Sequence, residues 1–335
     1  MTNQSTSIPA HTRIHIVVPV YNDWESLHQL IANLDAMAAG HQIIIAQLVV
    51  VNDASNQPAP RGVPHKLQAI ECITEVELGA NSGHQRAIAI GLAWLGTQAD
   101  GADYVVVMDA DGEDKPEDLP SLLAQAAKGK NSFVVFAQRG QRNESFAFRF
   151  FYGIYKFFFR LLTGTVINFG NYCCIPQPLL QRVVSTPDLW NHFPGSIMKS
   201  KLPIDKIVLN RGTRYFGTSK MNFPALVLHG LSSVSIFIDM VSVRLLIFCG
   251  VSMATIVAAS LVMAGLTVIG QVQVPYWASG MLVSLVNLAV LFGLITLMIL
   301  LLQLNQRKSI QLPPKNNFQP FVLGYYKWHP NPTTA

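Results

Sequence analysis

The stretch Tyr104-Val-Val-Val-Met-Asp-Ala-Asp-Gly-Glu-Asp-Lys-Pro-Glu117 decides how the first half of the chain is read. Five apolar residues in a row are short for a helix and suit a strand buried on both faces, and such strands belong to parallel sheets. The run ends at two aspartates with one residue between them, which in extended backbone point to the same side. Two carboxylates so placed repel unless a cation lies between them. Mg2+ or Mn2+ suits Asp109 and Asp111, usually with substrate phosphate oxygens completing the shell, and Glu113 is placed to join as a third ligand. A solvated acidic turn would show the same letters. Pro116 and Glu117 then open a helix.

The same rhythm runs outward from this stretch. Ile14–Val20, Gln47–Val51, Tyr104–Met108 and Ser132–Ala137 read as strands, and Trp24–Ala39, residues 84–95 and Glu117–Ala127 as helices. Strands alternating with helices predict an α/β domain with a Rossmann-like, mainly parallel sheet. In such sheets ligands bind beyond the carboxyl ends of the strands. The polar clusters fall at those ends: Tyr21-Asn22-Asp23 after Pro19, Asn52-Asp53, and Asp109-Ala110-Asp111. Asp53 can accept an N–H from a nucleobase or cap the turn that follows it. Asn81-Ser-Gly-His-Gln-Arg86 opens a helix, where Gly83 permits close approach, the helix N-terminus favours anions and Arg86 can bind phosphate. A plain loop with an N-cap is the other reading. Arg211-Gly-Thr-Arg-Tyr-Phe-Gly-Thr-Ser-Lys220 gathers three cations, hydroxyls and two glycines in ten residues, which suits oxyanion capture. A basic patch that only attracts lipid headgroups is the alternative there.

The second half differs in composition. The chain has 335 residues, half of them hydrophobic and only 13% charged, and none of the 62 residues from 245 to 306 is charged. Leu245–Gly270 and Ala278–Leu304 each exceed the roughly 20 residues that a hydrocarbon core requires. Pro275, Tyr276 and Trp277 suit a connector at a membrane interface. The connector lacks Lys and Arg, whereas Arg244, Arg307 and Lys308 flank the pair, so both flanks are expected on the cytoplasmic side. A buried soluble hairpin would need an unusually large uncharged core. Residues 146–162 hold nine aromatics among 17, with Arg149, Lys156 and Arg160 on one helical face. They predict an amphipathic helix in the headgroup region, against the alternative of a core helix.

The expected organisation is therefore a cytosolic catalytic domain over 1–222, a juxtamembrane helix over 223–244, two transmembrane helices over 245–304 and a cytoplasmic tail over 305–335. Residues 1–13 lack the apolar core of a signal peptide, which places the catalytic domain and both termini in the cytoplasm of an integral membrane protein. Net charge is +5 with a pI near 9.0, as fits anionic lipid, phosphorylated substrates or positive-inside bias. No module for nucleic acid binding is present. Cys72, Cys173, Cys174 and Cys249 have no metal-ligand spacing and read as free thiols. Small residues such as Gly250, Ala254, Ala258 and Gly265 would permit a homo-oligomer.

Taken together, these stretches resemble the family-2 glycosyltransferases of GT-A fold, and within them the polyprenyl-phosphate group of dolichol-phosphate mannose synthase and its bacterial relatives. The stretches that carry the resemblance are Val17–Asn22, Val50–Ser55, Asn81–Ala87, Asp109–Glu117, Arg211–Lys220 and the two-helix anchor. The resemblance implies that Pro19, Tyr21, Asn22, Asp53, Asn81, Gly83, Arg86, Asp109, Ala110 and Asp111 bind the nucleotide sugar. It implies that Asp109 and Asp111 hold the metal and diphosphate, with Glu113 beside them. Arg211, Arg214, Ser219 and Lys220 would meet the acceptor phosphate or the donor diphosphate, and Arg139 falls where relatives carry an active-site arginine. Three departures stand out. Asn52 replaces the first of two acids, Glu113 stands where Gln is usual, and Asn168-Phe-Gly-Asn-Tyr-Cys-Cys174 lacks the usual acidic and basic residues.

The expected activity is inverting transfer of a sugar from a nucleotide diphosphate sugar, a UDP-sugar by preference, to a polyprenyl (undecaprenyl or dolichyl) phosphate. A second reading is transfer to a hydroxyl of a lipid-linked glycan, which needs a general base such as Glu113, Asp114 or Asp205. A third, of another class, is a non-catalytic membrane scaffold or a degenerate nucleotide-sugar-binding regulator. A processive synthase would carry a Gln-x-x-Arg-Trp stretch, which is absent from the sequence.

Overall fold

The computed structural model describes residues 11–63, 66–98, 101–140, 146–217, 223–273, 275–306 and 312–330. Its first part runs β1 (Arg13–Val20), α1 (Trp24–Gly40), β2 (Ile44–Asn52), β3 (Gly62–Val63), β4 (Ile73–Leu78), α2 (His84–Leu95), β5 (Tyr104–Val107), α3 (Leu119–Lys128) and β6 (Val134–Arg139). There follow α4 (Phe146–Thr163), β7 (Phe169–Pro176), α5 (Gln177–Val184), α6 (Phe193–Lys199), β8 (Ile204–Leu209) and α7 (Phe223–Ser235). The last part is α8 (Ile238–Val268), α9 (Tyr276–Gln306), α10 (Pro314–Asn317), β9 (Val322–Lys327) and β10 (His329–Pro330).

Eight strands form one sheet in the order β8-β6-β7-β5-β1-β2-β4-β9. β7 runs antiparallel to β5 and β6, and β9 antiparallel to β4; the remaining pairs are parallel. The mainly parallel α/β architecture expected from the strand–helix alternation is present. Alternate residues serve the two faces: Ile16 and Val18 pack with Leu27, Leu30 and Leu34 of α1 and with α3, whereas Val17 and Val49 pack with α2, α5 and α6. Burial on both faces is why β1, β2 and β5 read as continuous apolar runs. β5 pairs with β1 through Val17↔Val107, so Asp109 and Asp111 follow at the carboxyl end of the sheet, beside Pro19 and Asp53.

The C-terminal stretch corrects an expectation. Residues 312–330, read as part of a tail, fold into the soluble unit. β9 becomes the sheet's edge strand on β4, β10 pairs with β3, and Trp328 is buried against Trp24 and His28 at ring separations of 6.5 and 5.9 Å. A buried carboxylate holds this corner together. Glu75 of β4 has no exposure, and it accepts hydrogen bonds from Asn52 Nδ2 (2.8 Å), Arg61 Nε (3.0 Å) and Trp328 Nε1 (3.3 Å). Asn52 now has a physical reason. A carboxylate at position 52 would face Glu75 inside the protein, where like charges are costly.

The chain divides into two compact units. One comprises residues 1–143, 167–236 and 312–335, and the other residues 144–166 and 237–311. In the second unit α8 and α9 pack along each other as a hairpin, and α4 packs on α8. Each hairpin helix has 31 residues, about 46 Å at 1.5 Å per residue, against a hydrocarbon core of about 30 Å. Only 6% of each apolar window is buried, so these side chains face outward, unlike those of a soluble core helix. α8 starts earlier than the predicted 245, because the helix continues through Asp239 and Arg244. Arg244, counted above as an orientation-setting charge, also caps α4. Its Nη1 donates to the Leu161 carbonyl at 2.7 Å, and Gly164, at φ +74°, lies beneath the guanidinium where a Cβ has no room. Phe159 is buried edge-on against Phe237, while Phe157, Phe158 and Leu161 are exposed.

The packing of Trp328 generates a prediction. Trp328→Ala should destabilise the soluble unit by about 3–5 kcal/mol, the range for deleting a buried large aromatic. Leu323→Ala, at an exposed position of β9 just before Trp328, should stay within about 0.5 kcal/mol. Urea unfolding of the detergent-solubilised chain measures both. Equal, negligible effects would mean that the C-terminal strand is not part of the fold.

Candidate functional site

The acidic loop after β5 is shaped by its own hydrogen bonds. The Asp109 N–H donates to Asp114 Oδ2 (3.0 Å), and the Glu113 N–H donates to Asp111 Oδ1 (2.9 Å). Asp111 is nearly buried, and Ala110 beside it is buried. Burial and the neighbouring Asp109 push the Asp111 carboxyl above its ordinary pKa, even though Arg214 and Arg211 pull it down.

Two arginines and a histidine of the chain converge on this loop. Arg214 Nη2 donates to Asp111 Oδ2, and Arg211 Nη2 pairs with Glu113 Oε2. Arg214 Nε also lies 3.6 Å from Glu113 Oε1. His84 Nε2 sits 3.2 Å from Asp109 Oδ1. Desolvation pulls the His84 imidazolium down, but Asp109, Asp114 and Asp111 outweigh it, so its pKa lies above the ordinary value. Burial pushes the Arg211 guanidinium down, against the pull of Asp111 and Asp109. Among the described residues, the buried Nε–H groups of Arg211 and Arg214 find no hydrogen-bond acceptor.

The basic segment is docked through its backbone as well. The Gly212 N–H donates to the Glu113 carbonyl and the Tyr215 N–H to the Asp111 carbonyl, both at 2.9 Å. This close crossing needs two glycines. A Cβ on Gly112 would stand 2.8 Å from the Tyr215 ring, and one on Gly212 would strike the Gly112 carbonyl oxygen and stand 2.8 Å from Lys115 Cγ. Tyr215 is fixed in turn by Asn33 Nδ2, which donates to its hydroxyl at 3.0 Å.

The other expected residues fall into place around this centre. Asp53 accepts the N–H groups of Ser82 (2.7 Å) and Gly83 (2.9 Å), just before α2 and not in the turn that follows Asp53, and Asn81 Nδ2 donates to its carbonyl oxygen (3.3 Å). Burial raises the Asp53 pKa, while those two N–H groups and His84 lower it. Asn22, at φ +51°, accepts the N–H groups of Asn56 and Gln57 and so orders the loop after Asp53. A polar cavity of about 330 Å³ opens there, lined by Asn52, Ser55, Gln57, Arg61 and Glu77 among others. Tyr21 and Arg86 are exposed at the same end of the sheet. Arg139 closes β6 there, level with Leu209; its side chain is not among those described. Ser219 and Lys220 lie outside the described residues.

Sequence reading quoted His84, Gly112, Gly212 and Tyr215 without giving them these roles. Only the steric facts of the crossing reveal the two glycines as contact points. The Asn168–Cys174 departure is informative too: Asn171 Nδ2 lies 2.9 Å from His84 Nε2, and Gln85 Nε2 donates to Asn171 Oδ1 (3.1 Å). Asn171 therefore lies beside the histidine that contacts Asp109. Asp205, offered as a base, lies near the start of β8, level with Val135, where it accepts from Gln125 of α3.

Asp109 and Asp111 supply hard oxygen donors side by side at the carboxyl end of the sheet, so they fit Mg2+ or Mn2+. Among the described residues no three side chains gather as a ligand set. Glu113, expected as the third ligand, is instead drawn to Arg211 and Arg214. A bound ion would therefore depend on substrate oxygens to complete its shell.

The crossing can be tested sterically. Gly212→Ala keeps an ordinary backbone conformation but forces the two segments apart. It should lower turnover by about 10–100-fold, as displacements near 1 Å can, with a stability loss of about 1–3 kcal/mol for overpacking. A variant with wild-type turnover would show that the crossing is not part of the working site.

Comparison with known proteins adds the following. The chain matches the family model described as "Glycosyl transferase family 2" over residues 15–183. It is 26% identical over 219 residues to the undecaprenyl-phosphate 4-deoxy-4-formamido-L-arabinose transferase of Salmonella paratyphi A, covering 64% of either chain. It is 25% identical over 233 residues to the protein of the same name from Klebsiella pneumoniae, covering 65% of either. The chain thus spans slightly less than two-thirds of the length of these relatives. Among solved structures it is similar to a mannosyltransferase from Pyrobaculum calidifontis in complex with GDP-Man and Mn2+, at 15% identity and a TM-score of 0.43, covering 87% of this chain and 89% of the other. The family match spans β1 through α5 and with them the whole acidic loop, so this chain belongs to glycosyl transferase family 2.

Proposed function

We propose that the chain is a membrane-bound glycosyltransferase that moves one sugar from a nucleotide diphosphate sugar to a polyprenyl phosphate. A UDP-sugar is the favoured donor, and the anomeric configuration inverts. The observation that carries this reading is the meeting of Asp109 and Asp111 with Arg211 and Arg214 in one place. A cation site for a leaving diphosphate and donors for a second phosphate are what such a transfer needs. The names of the Salmonella and Klebsiella relatives support undecaprenyl phosphate as the acceptor class.

In this reading the acceptor phosphate oxygen attacks the anomeric carbon while the bond from that carbon to the diphosphate oxygen breaks. The nucleoside diphosphate leaves with the electron pair, and no proton has to move. An Mg2+ or Mn2+ ion held by Asp109 and Asp111 would stabilise charge on the leaving diphosphate as a Lewis acid. Arg211 and Arg214 would bind phosphate oxygens through their forked N–H groups, and the cavity beside Asp53 offers room for the nucleoside. The protein's contribution is chiefly alignment of the three reacting atoms.

The engagement of the candidate bases favours a phosphate over a glycan hydroxyl as acceptor. Glu113 is paired with two arginines, Asp114 accepts the Asp109 N–H, and Asp205 is bonded to Gln125 away from the site. A phosphate acceptor is already an anion and needs no base.

The membrane arrangement is part of the proposal. The chain leaves the soluble unit at Ile236 and re-enters it at Leu312, with the hairpin inserted between. Arg244, Arg307 and Lys308 flank the hairpin, and the positive-inside bias supports a cytoplasmic side for both its ends. The exposed Phe157, Phe158 and Leu161 of α4, and Leu228 and Leu231 of α7, suit the headgroup region.

The test is sugar transfer in liposomes with labelled UDP- and GDP-sugars, Mg2+ or Mn2+, and undecaprenyl phosphate. Metal-dependent label should enter the lipid phase. Asp109→Ala and Asp111→Ala should each reduce it by about 100-fold or more, as for loss of one major electrostatic group, with membrane insertion intact. Full activity in both variants would remove their metal role. No lipid product from any donor would overturn the proposed acceptor.

A further inference from the structure

Resting on that reading, we propose that Arg214 is a built-in counter-ion of the metal face. In the donor-free protein it occupies Asp111, so that a divalent cation enters together with the nucleoside diphosphate and not before it.

Both carboxylate oxygens of Asp111 are engaged from within the chain, Oδ2 by Arg214 Nη2 and Oδ1 by the Glu113 N–H. Glu113 is held by Arg211, and Asp109 Oδ1 lies 3.2 Å from His84 Nε2. A divalent cation arriving alone meets carboxylates that already have partners. It also adds two positive charges beside two guanidinium groups, which at such distances repel it. A nucleoside diphosphate changes the balance. Its oxygens complete the metal shell and give the arginines anionic acceptors of matching geometry.

The arginines are equipped for that exchange. The buried Nε–H groups of Arg211 and Arg214 have no acceptor among the described residues, so a diphosphate oxygen would satisfy a donor that the protein leaves unmet. The backbone of the segment is anchored at Gly212 and Tyr215, so the change of partner is a side-chain movement. Tyr215, locked over Gly112 and bonded to Asn33, keeps the segment in register while it happens.

This arrangement makes metal and nucleotide binding mutually dependent. Each should tighten the other by the same factor, about 5–150-fold for a typical coupling. Removing the Arg214 charge takes away the competitor. Arg214→Gln should bind Mn2+ alone on the order of tenfold more tightly and should show a smaller coupling. Arg214→Lys, which keeps the charge, should resemble the wild type toward Mn2+ alone.

The experiment is Mn2+ binding to the full chain in detergent, by electron paramagnetic resonance of the free ion, with Mn2+ alone and with UDP or GDP added. The reciprocal titration, nucleotide with and without Mn2+, uses the wild type only and stands even if a variant fails to fold. Weak Mn2+ binding that either nucleotide strengthens, with a gain for Arg214→Gln alone, bears the proposal out. Wild-type protein that binds Mn2+ equally well with and without nucleotide overturns it and leaves the transferase reading standing. The same holds if Arg214→Gln binds Mn2+ alone no better than wild type. No Mn2+ binding with either nucleotide overturns both the proposal and the metal role of Asp109 and Asp111.

Discussion

Asp109 and Asp111 leave the central strand with one residue between them, and the second is nearly buried. Their mutual repulsion, sharpened by loss of water, is the constraint that the carboxyl end of the sheet is built to offset. Burial and Asp109 outweigh the arginines in raising the Asp111 pKa. Around this pair the chain brings His84 from the start of α2, and Arg211 and Arg214 from the segment after β8. Segments more than 100 residues apart are joined here because each brings a charge the other lacks. Facing glycines at 112 and 212 let their backbones approach closely enough for the pairing to form.

A second constraint comes from the sheet edge. β4 would otherwise expose a row of unpaired N–H and C=O groups, a known liability. β9 covers it, and it is supplied by chain that has already passed through the hairpin. The carboxylate of Glu75 ties Trp328 of this returning segment to Asn52 and Arg61, next to the loop that follows Asp53. Membrane hairpin, sheet edge and site are thereby linked along one covalent path.

Much of this was legible in the sequence. The β1, β2, β5 and β6 runs and the helices over 24–39 and 84–95 follow from hydrophobic patterning with boundaries within a few residues, and so does the uncharged hairpin, apart from the first seven residues of α8. β4 was missed because Ile-Thr-Glu-Val-Glu-Leu looks half-polar. Its Glu75 is nevertheless fully buried, through partners from residues 52, 61 and 328 that no local pattern announces. The 312–330 stretch read as a tail because Pro313, Pro314 and Pro320 suggest irregular chain; its alternation at Val322–Lys327 is the edge-strand signal that was passed over. Within the site, the residue types were legible and their pairings were not. Arg214 could be seen to want an anion, but that the anion is Asp111 depends on a contact spanning 103 residues.

Two of the three departures from the family pattern, Asn52 and Glu113, are adjustments of opposite sign to local charge. At position 52 a carboxylate is given up, because Glu75 already lies buried beside it and two acids there would repel. At position 113 a carboxylate is gained where a neutral Gln is usual, and it is tolerable because two guanidinium groups face it. Glu113 in turn gives Arg211 a fixed partner, which leaves Arg214 as the cation shared most directly with Asp111. The acidic loop can then fold with its charges largely matched before any ligand arrives, and a cation that enters must exchange with a partner already in place. Net charge in the site is thus set by compensation among residues distant in sequence, and substitution at 52 or 113 is intelligible only together with Glu75 and Arg211.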